Sequence, residues 1–236
     1  TLADDYNITL VYGLLEIISR TTLYEITVTA NSDTVLYDGA SHSVDGFEKT
    51  SFSVDGKSYT VEGISASASG TDAGTYTSAI TGTPLVKDAA GNDVTSQFRV
   101  NTVPGTLTIN KRNVTITSAT DRKYYNGSAL YNENYEITGD GFADGEGAVV
   151  TVTGQQVVPG SSENEFSYAL TSNTSSDNYI IVTSFGTLTV INRDTKYMVT
   201  VEAQSGSSMY NGAEQTFGGL ITNEFEVEGN KYTVEG

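Results

Sequence analysis

The chain has 236 residues, with 12 Lys and Arg against 29 Asp and Glu for a net charge of -17, and it contains 15 Tyr, no Trp and no Cys. That balance opposes nucleic-acid and anionic-membrane partners, which need clustered Lys and Arg to release counterions or meet lipid headgroups. The missing Cys excludes disulfides, thiolate metal sites and a Cys nucleophile.

Thr, Ser, Gly, Asn and Tyr dominate, Pro is confined to Pro84, Pro104 and Pro159, and no stretch sustains the apolar spacing of a helix. Short alternating runs separated by Gly-containing turns instead predict an all-β chain of small sandwich or barrel modules rather than a parallel α/β sheet. No apolar run reaches the roughly 18 residues of a membrane span, and no signal peptide is present. The chain begins and stops in the middle of repeats, so it reads as a piece of a longer protein whose targeting signals lie elsewhere.

Taken in order, residues 1–20 hold two strand-like runs, Tyr6-Asn-Ile-Thr-Leu-Val and Leu14-Leu-Glu-Ile-Ile. They read as the end of a short-type module. Residues 21–112 form a long-type module. It opens at Tyr24, turns at Tyr37-Asp-Gly39, and carries Ser58 to Gly63, Ile64 to Ser69 and Thr77 to Thr81 as strands. The segment Lys87 to Gln97 is its one expected short helix or irregular loop. Residues 113–193 form a short-type module with its turn at Tyr125-Asn-Gly127, strands at 135–139 and 148–154, and Phe166 to Leu170 matched to Tyr76 to Ile80. Residues 194–236 start a second long-type module.

Three endings punctuate these modules: Gly13-Leu-Leu-Glu-Ile-Ile-Ser-Arg20, Gly105-Thr-Leu-Thr-Ile-Asn-Lys-Arg112 and Gly186-Thr-Leu-Thr-Val-Ile-Asn-Arg193. Each is a turn Gly followed by period-two alternation. Another alternating run follows each with almost no linker: Tyr24 to Val28, Asn113 to Thr117, and Tyr197 to Val201. Sliding the chain on itself by 173 residues returns Tyr59-Thr-Val-Glu-Gly63 as Tyr232-Thr-Val-Glu-Gly236, and Tyr37 as Tyr210. The repeating unit is therefore a long module followed by a short one. Strands of about ten residues at ~3.3 Å each would make such a unit roughly 70 Å of rod.

Tyr37-Asp-Gly39, Tyr125-Asn-Gly127 and Tyr210-Asn-Gly212, in register with the Gly-Thr-Leu-Thr endings, resemble the MBG-type and YDG-type repeats of large bacterial surface adhesins. Gly70-Thr-Asp-Ala-Gly-Thr-Tyr76 and Val86 to Thr95 resemble tandem repeats of secreted Firmicutes proteins. The resemblance implies extracellular, Gram-positive, wall-attached modules of stalk or adhesive type. It carries over no catalytic residue and no cofactor.

Asp72-Ala-Gly74-Thr-Tyr76 also resembles the tyrosine corner that leads into strand F of Ig-like domains, with Ser78 where antibody domains carry Cys. The plainer reading is a Gly turn before a strand. A β-grasp fold, as in mucus-binding repeats, is the alternative, and it requires a helix that the sequence does not display.

Candidate chemistry is sparse. His42 is the only His and lies beside a turn in the long module, whereas the short module has none. Asp140, Asp144 and Glu146 cluster oxygen ligands in a Gly-rich loop suited to Ca²⁺, as do Asp88, Asn92 and Asp93, yet neither set has EF-hand spacing. Turn chemistry explains both sets as well. Lys111 with Asn110 or Asn192 offers an isopeptide pair only if the Lys is buried. Tyr37, Tyr125 and Tyr210 recur at one structural place and are expected to pack at a module's end.

These features predict a non-enzymatic stalk repeat that holds a binding region away from the cell wall, its partners being neighbouring repeats of the same chain. The alternative is an adhesin module that binds host glycans, mucin or extracellular matrix.

Overall fold

A computed structural model describes residues 6, 7, 9–18 and 21–235. The chain is all-β, and its helical content among these residues is confined to two 3-10 turns, Thr95–Gln97 and Ser176–Asn178. The helix that a β-grasp would require is not among them. Two compact units emerge: residues 1–35 with 40–110, and residues 111–236 with Leu36–Gly39.

The first unit contains β1 (Tyr24–Thr29), β2 (Asp33–Leu36), β3 (His42–Asp45), β4 (Ser51–Val54), β5 (Lys57–Gly70), β6 (Gly74–Thr77), β7 (Ala79–Asp88), β8 (Phe98–Val103) and β9 (Thr106–Asn110). Strand β1 runs parallel to β8, β9 lies between β2 and β6, and β5 pairs with β3, β4 and β7. Alternation places Ile26 and Val28 inward and Glu25 and Thr27 outward. The inward residues meet Val61, Val86 and Phe98 in a buried cluster.

β5 serves several partners because its 14 residues pair β4 near the start and β3 near the end, and opposite β7 it is bulged between Glu62 and Ile64. Gly63 (φ 77°) faces Gly82 (φ 94°) there, and a Cβ on Gly82 would overlap the Gly63 carbonyl oxygen. The Lys87 to Gln97 segment is a loop closed by Asp88 and Asp93 and ending in the 3-10 turn.

The second unit contains β10 (Arg112–Ser118), β11 (Asp121–Tyr124), β12 (Tyr135–Gly139), β13 (Ala148–Val152), β14 (Gly160–Asn164), β15 (Phe166–Leu170), β16 (Tyr179–Ser184), β17 (Gly186–Ile191), β18 (Glu224–Val227) and β19 (Asn230–Thr233). Its plan repeats the first. β10 runs parallel to β16 as β1 does to β8, and β17 lies between β11 and β14 as β9 lies between β2 and β6.

The register corrects one sequence match. Tyr76 pairs with Leu107, and the residue paired with the equivalent Leu188 is Ser162. Phe166 lies one strand later, in β15, which pairs with β13. Equal hydrophobic spacing had concealed this slip of one strand.

The repeated Gly-Thr-Leu-Thr stretch owes its composition to two contacts. Leu107, Ile109, Leu188 and Val190 are almost fully buried, and the preceding Gly105 and Gly186 sit against main chain. A Cβ on Gly105 would overlap the Asn31 carbonyl oxygen, and one on Gly186 would overlap that of Ala119. The first copy of the motif behaves differently. Leu14, Leu15, Ile17 and Ile18 are 77–92% exposed, and the described part of 6–18 forms no strand. A period-two pattern becomes a strand only where its backbone groups find a partner. Ile8 and Arg20 lie outside the described residues.

Two features of the first unit recur between residues 203 and 233. The bridge Ala30–Phe47 returns as Ala203–Leu220. The β4–β5 hairpin returns as β18–β19, with positive φ at both Asp55 (47°) and Glu228 (49°). The expected strand at 197–201 does not form, because no counterpart of β8 is present among these residues for it to pair with.

Gly186→Ala is expected to destabilise the second unit by about 2 kcal/mol, since the methyl group must displace backbone rather than a flexible side chain. Thermal unfolding of the two units checks this, with the transition of residues 21–110 unchanged.

Candidate functional site

The most constructed polar site lies within the second unit, around the loop from Asp140 to Gly147. Gly141 and Gly145 adopt φ of 68° and 75°, a region open to Gly at little cost. Both ends of the loop are tied. Asp140 Oδ2 accepts the Asn113 backbone N–H at 2.8 Å. At the other end, Thr174 Oγ1 accepts the Gly147 N–H at 2.9 Å, and Asn173 donates to the Gly145 carbonyl at 2.7 Å.

Into this loop comes the Tyr37-Asp-Gly39 turn, whose Gly39 has φ 82°. Tyr37 is buried and donates its hydroxyl to Glu146 Oε1 at 2.5 Å. Tyr179, also buried, donates to Glu146 Oε2 at 2.7 Å and accepts the Ala143 N–H at 3.0 Å. The two rings meet edge to face, with centroids 5.7 Å apart. Buried Asn178 also bonds the Tyr37 hydroxyl.

Arg112 closes the arrangement. Its guanidinium donates to the Gly141 carbonyl at 2.8 Å, to the Tyr37 carbonyl at 3.1 Å and to the Asp140 carbonyl. A planar fork with several donors suits such a convergence of carbonyls, and a Lys ammonium could not match its geometry. Burial, reinforced by the Glu146 carboxylate, pushes both hydroxyls up to about 12. They therefore serve as hydrogen-bond donors throughout the neutral range and are poor proton-transfer groups.

The residues singled out for calcium have other occupations here. Asp140 caps Asn113, both Glu146 oxygens accept tyrosine hydroxyls, and Asp144 is exposed. Among the described residues no group of three His, Asp or Glu side chains is placed to hold a metal ion. Asp88 accepts from the Ala90 and Asn92 amides and from the Asn92 side chain, while Asp93 accepts from the amide and hydroxyl of Thr95. These bonds hold both carboxyls below the ordinary Asp value of 3.8. Lys111 and Asn192 are exposed, which removes the buried Lys that an isopeptide bond requires. His42 lies on β3, opposite Gly70.

Tyr76 donates to the Asp72 carbonyl at 2.8 Å, the backward tie expected of a tyrosine corner, and its ring covers Gly70. The other two recurrent Tyr residues diverge. Tyr125 packs against the core of Leu130, Leu188 and Val190, and its turn touches β19. Tyr210 is 95% exposed.

Sequence reasoning missed two participants in this site, Tyr179 and Asn178, and one residue that ties the Tyr125 turn, Lys123. The first two are distant from Tyr37 in sequence and have no local signal. Lys123 had one, since it lies three residues before Asn126, and its ammonium bonds Asn126 Oδ1 at 2.9 Å and the Ser128 and Ala129 carbonyls at 2.7 and 3.0 Å.

The chain matches no protein-family model, no curated protein and no solved structure.

Three outcomes are expected. Tyr37→Phe costs on the order of 2 kcal/mol by leaving the carboxylate one donor short. The neutral hydroxyls of Tyr37 and Tyr179 stabilise the fold fully below their unfolded value of 10.0, and that contribution declines as pH rises toward about 12. Urea unfolding across this range should show the decline in the parent chain and a flatter profile in the Tyr37→Phe, Tyr179→Phe double variant. On the acid side the sign reverses. The depressed Asp88 and Asp93 carboxyls stabilise the loop above 3.8, and this is lost as pH falls through their lower folded values. Amide exchange at Ala90, Asn92 and Thr95 reads it.

Proposed function

We propose that the chain is a structural and adhesive stalk segment of a bacterial cell-surface protein, built from alternating long and short Ig-like sandwich modules arranged as a rod. One observation carries most weight. The chain leaves the first unit after Val35, contributes Leu36–Gly39 to the second, and returns at Ala40. In the second unit the Tyr37-Asp-Gly39 turn is received by the half-buried Glu146 and by Arg112, and the proposal extends this reception to the other modules of the array. An array needs this device to limit hinge freedom where only one or two residues separate consecutive strands.

The wall-attached, extracellular setting follows from the resemblance to MBG-type and YDG-type repeats, and the strongly acidic, Cys-free composition supports it. The sandwich reading draws on the two similar strand plans and on the Tyr76 tie.

The second reading is an adhesin module for host glycans or mucin, favoured by a cleft of about 820 Å³ in the first unit that includes Tyr59, Asp88 and Gln97. Aromatic faces beside polar groups are what sugar recognition requires.

Solution scattering tests the stalk. A compact chain of this length would have a radius of gyration of about 18 Å; the proposal expects a clearly larger value and an elongated profile. A value near the compact limit would overturn it. Binding to glycan and mucin arrays, with and without Ca²⁺, tests the second reading: retention on the array makes this an adhesive head, and its absence leaves a spacer.

A further inference from the structure

The Tyr125 turn shows what one end of a long-type module receives. Within the second unit, Asn126 offers its carbonyl to the Asn230 side chain at 3.1 Å, and Tyr125 and Tyr232 are hydrogen-bonded through their side chains. Gly127, at φ 82°, lies directly against the Tyr232 hydroxyl, which a Cβ there would have to displace. Tyr197 donates to Glu228 at 2.6 Å, and Arg193 stacks over the Tyr197 ring at 4.3 Å. Tyr125, Tyr197, Phe225 and Tyr232 line the small apolar hollow at this contact.

A shift of 173 residues carries this receiving surface onto the first unit. Tyr197 becomes Tyr24, Glu228 becomes Asp55, Phe225 becomes Phe52, Asn230 becomes Lys57 and Tyr232 becomes Tyr59. The local geometry is conserved as well as the residue types. Tyr24 donates to Asp55 at 2.5 Å as Tyr197 does to Glu228, and both acids occupy the left-handed region in the same hairpin. Lys57 and Tyr59 line the 820 Å³ cleft described above. Ile17 and Ile18 reach its edge, and the same shift equates them with Val190 and Ile191. Ile191 is the residue whose carbonyl accepts the Tyr125 amide.

From this repetition we infer that the Tyr24–Asp55–Tyr59 end of the first unit is the docking surface for the Tyr-Asn-Gly turn of a short-type module placed before it in the same polypeptide. The turn's Tyr and Gly pack on Tyr59, and its central carbonyl faces position 57, where a Lys can donate as Asn230 does. Arg193 stands four residues before Tyr197, and Arg20 stands four residues before Tyr24. The inference rests on the alternating-array reading above and extends it to a specific receiving surface.

The Cys-free chain makes a direct test practical. A copy of residues 113–193 replaces residues 1–20, and Cys pairs are introduced for closure by a short bismaleimide. The control pair is Asn126→Cys with Asn230→Cys in the parent module; the test pair is Asn126→Cys in the added copy with Lys57→Cys. Peptide mapping should find both links within one molecule, with yields unaffected by dilution because linked modules react at their effective concentration. Gly127→Val in the added copy should abolish the test link and leave the control. A control link without the test link overturns the inference alone and leaves the cleft to a ligand of another class. A test link only between molecules also overturns it, by making a second copy the occupant. Loss of both links overturns the turn-docking geometry, and with it the reading on which the inference rests.

Discussion

The Glu146 carboxylate, held by the hydroxyls of Tyr37 and Tyr179, is the interaction around which the second unit is organised. A half-buried carboxylate must find donors for its oxygens or lose more in desolvation than the fold gains. Here the donors come from residues 37 and 179, one of them carried by a turn numbered among the strands of the first unit. Satisfying the charge therefore specifies where the turn sits. Arg112 adds specificity of another kind, reading the backbone carbonyls of Tyr37, Asp140 and Gly141.

The same physics recurs with different residues. At the long-type surface an acid in the left-handed region, Asp55 or Glu228, accepts a Tyr hydroxyl from the first strand's position. Around Glu146 the acid lies in a Gly-rich loop and the Tyr lies in β16. Both solutions keep a carboxylate, a Tyr and a preceding Arg near a Tyr-Asx-Gly turn.

Much of the architecture was legible from local pattern. Alternation at Leu107, Ile109, Leu188 and Val190 announced core strands, and burial follows it. The recurrent Gly of Tyr-Asx-Gly announced a turn, and Gly39, Gly127 and Gly212 all take positive φ. Pattern misled where pairing was the deciding factor. Leu14 to Ile18 and Tyr197 to Val201 have strand alternation but no partner strand among the described residues, and Phe166 matches one strand later than its spacing suggests because spacing alone carries no register. The acidic residues of the Asp140 loop were visible as a cluster, yet their partners Tyr37, Asn178 and Tyr179 were not, since each lies more than thirty residues from Glu146 or Tyr37 by chain or is joined only through the fold.

Composition and periodicity by themselves determined the all-β class and the positions of the Tyr-Asx-Gly turns, because backbone conformation and face alternation are set by neighbours along the chain. Tertiary structure alone decided which strands pair, which carboxylates are occupied by hydrogen bonds, and that Tyr37 belongs to the loop of residues 140–147. Those outcomes depend on distances between residues remote in sequence, and only the packed backbone brings such residues within the few ångströms over which hydrogen bonds act.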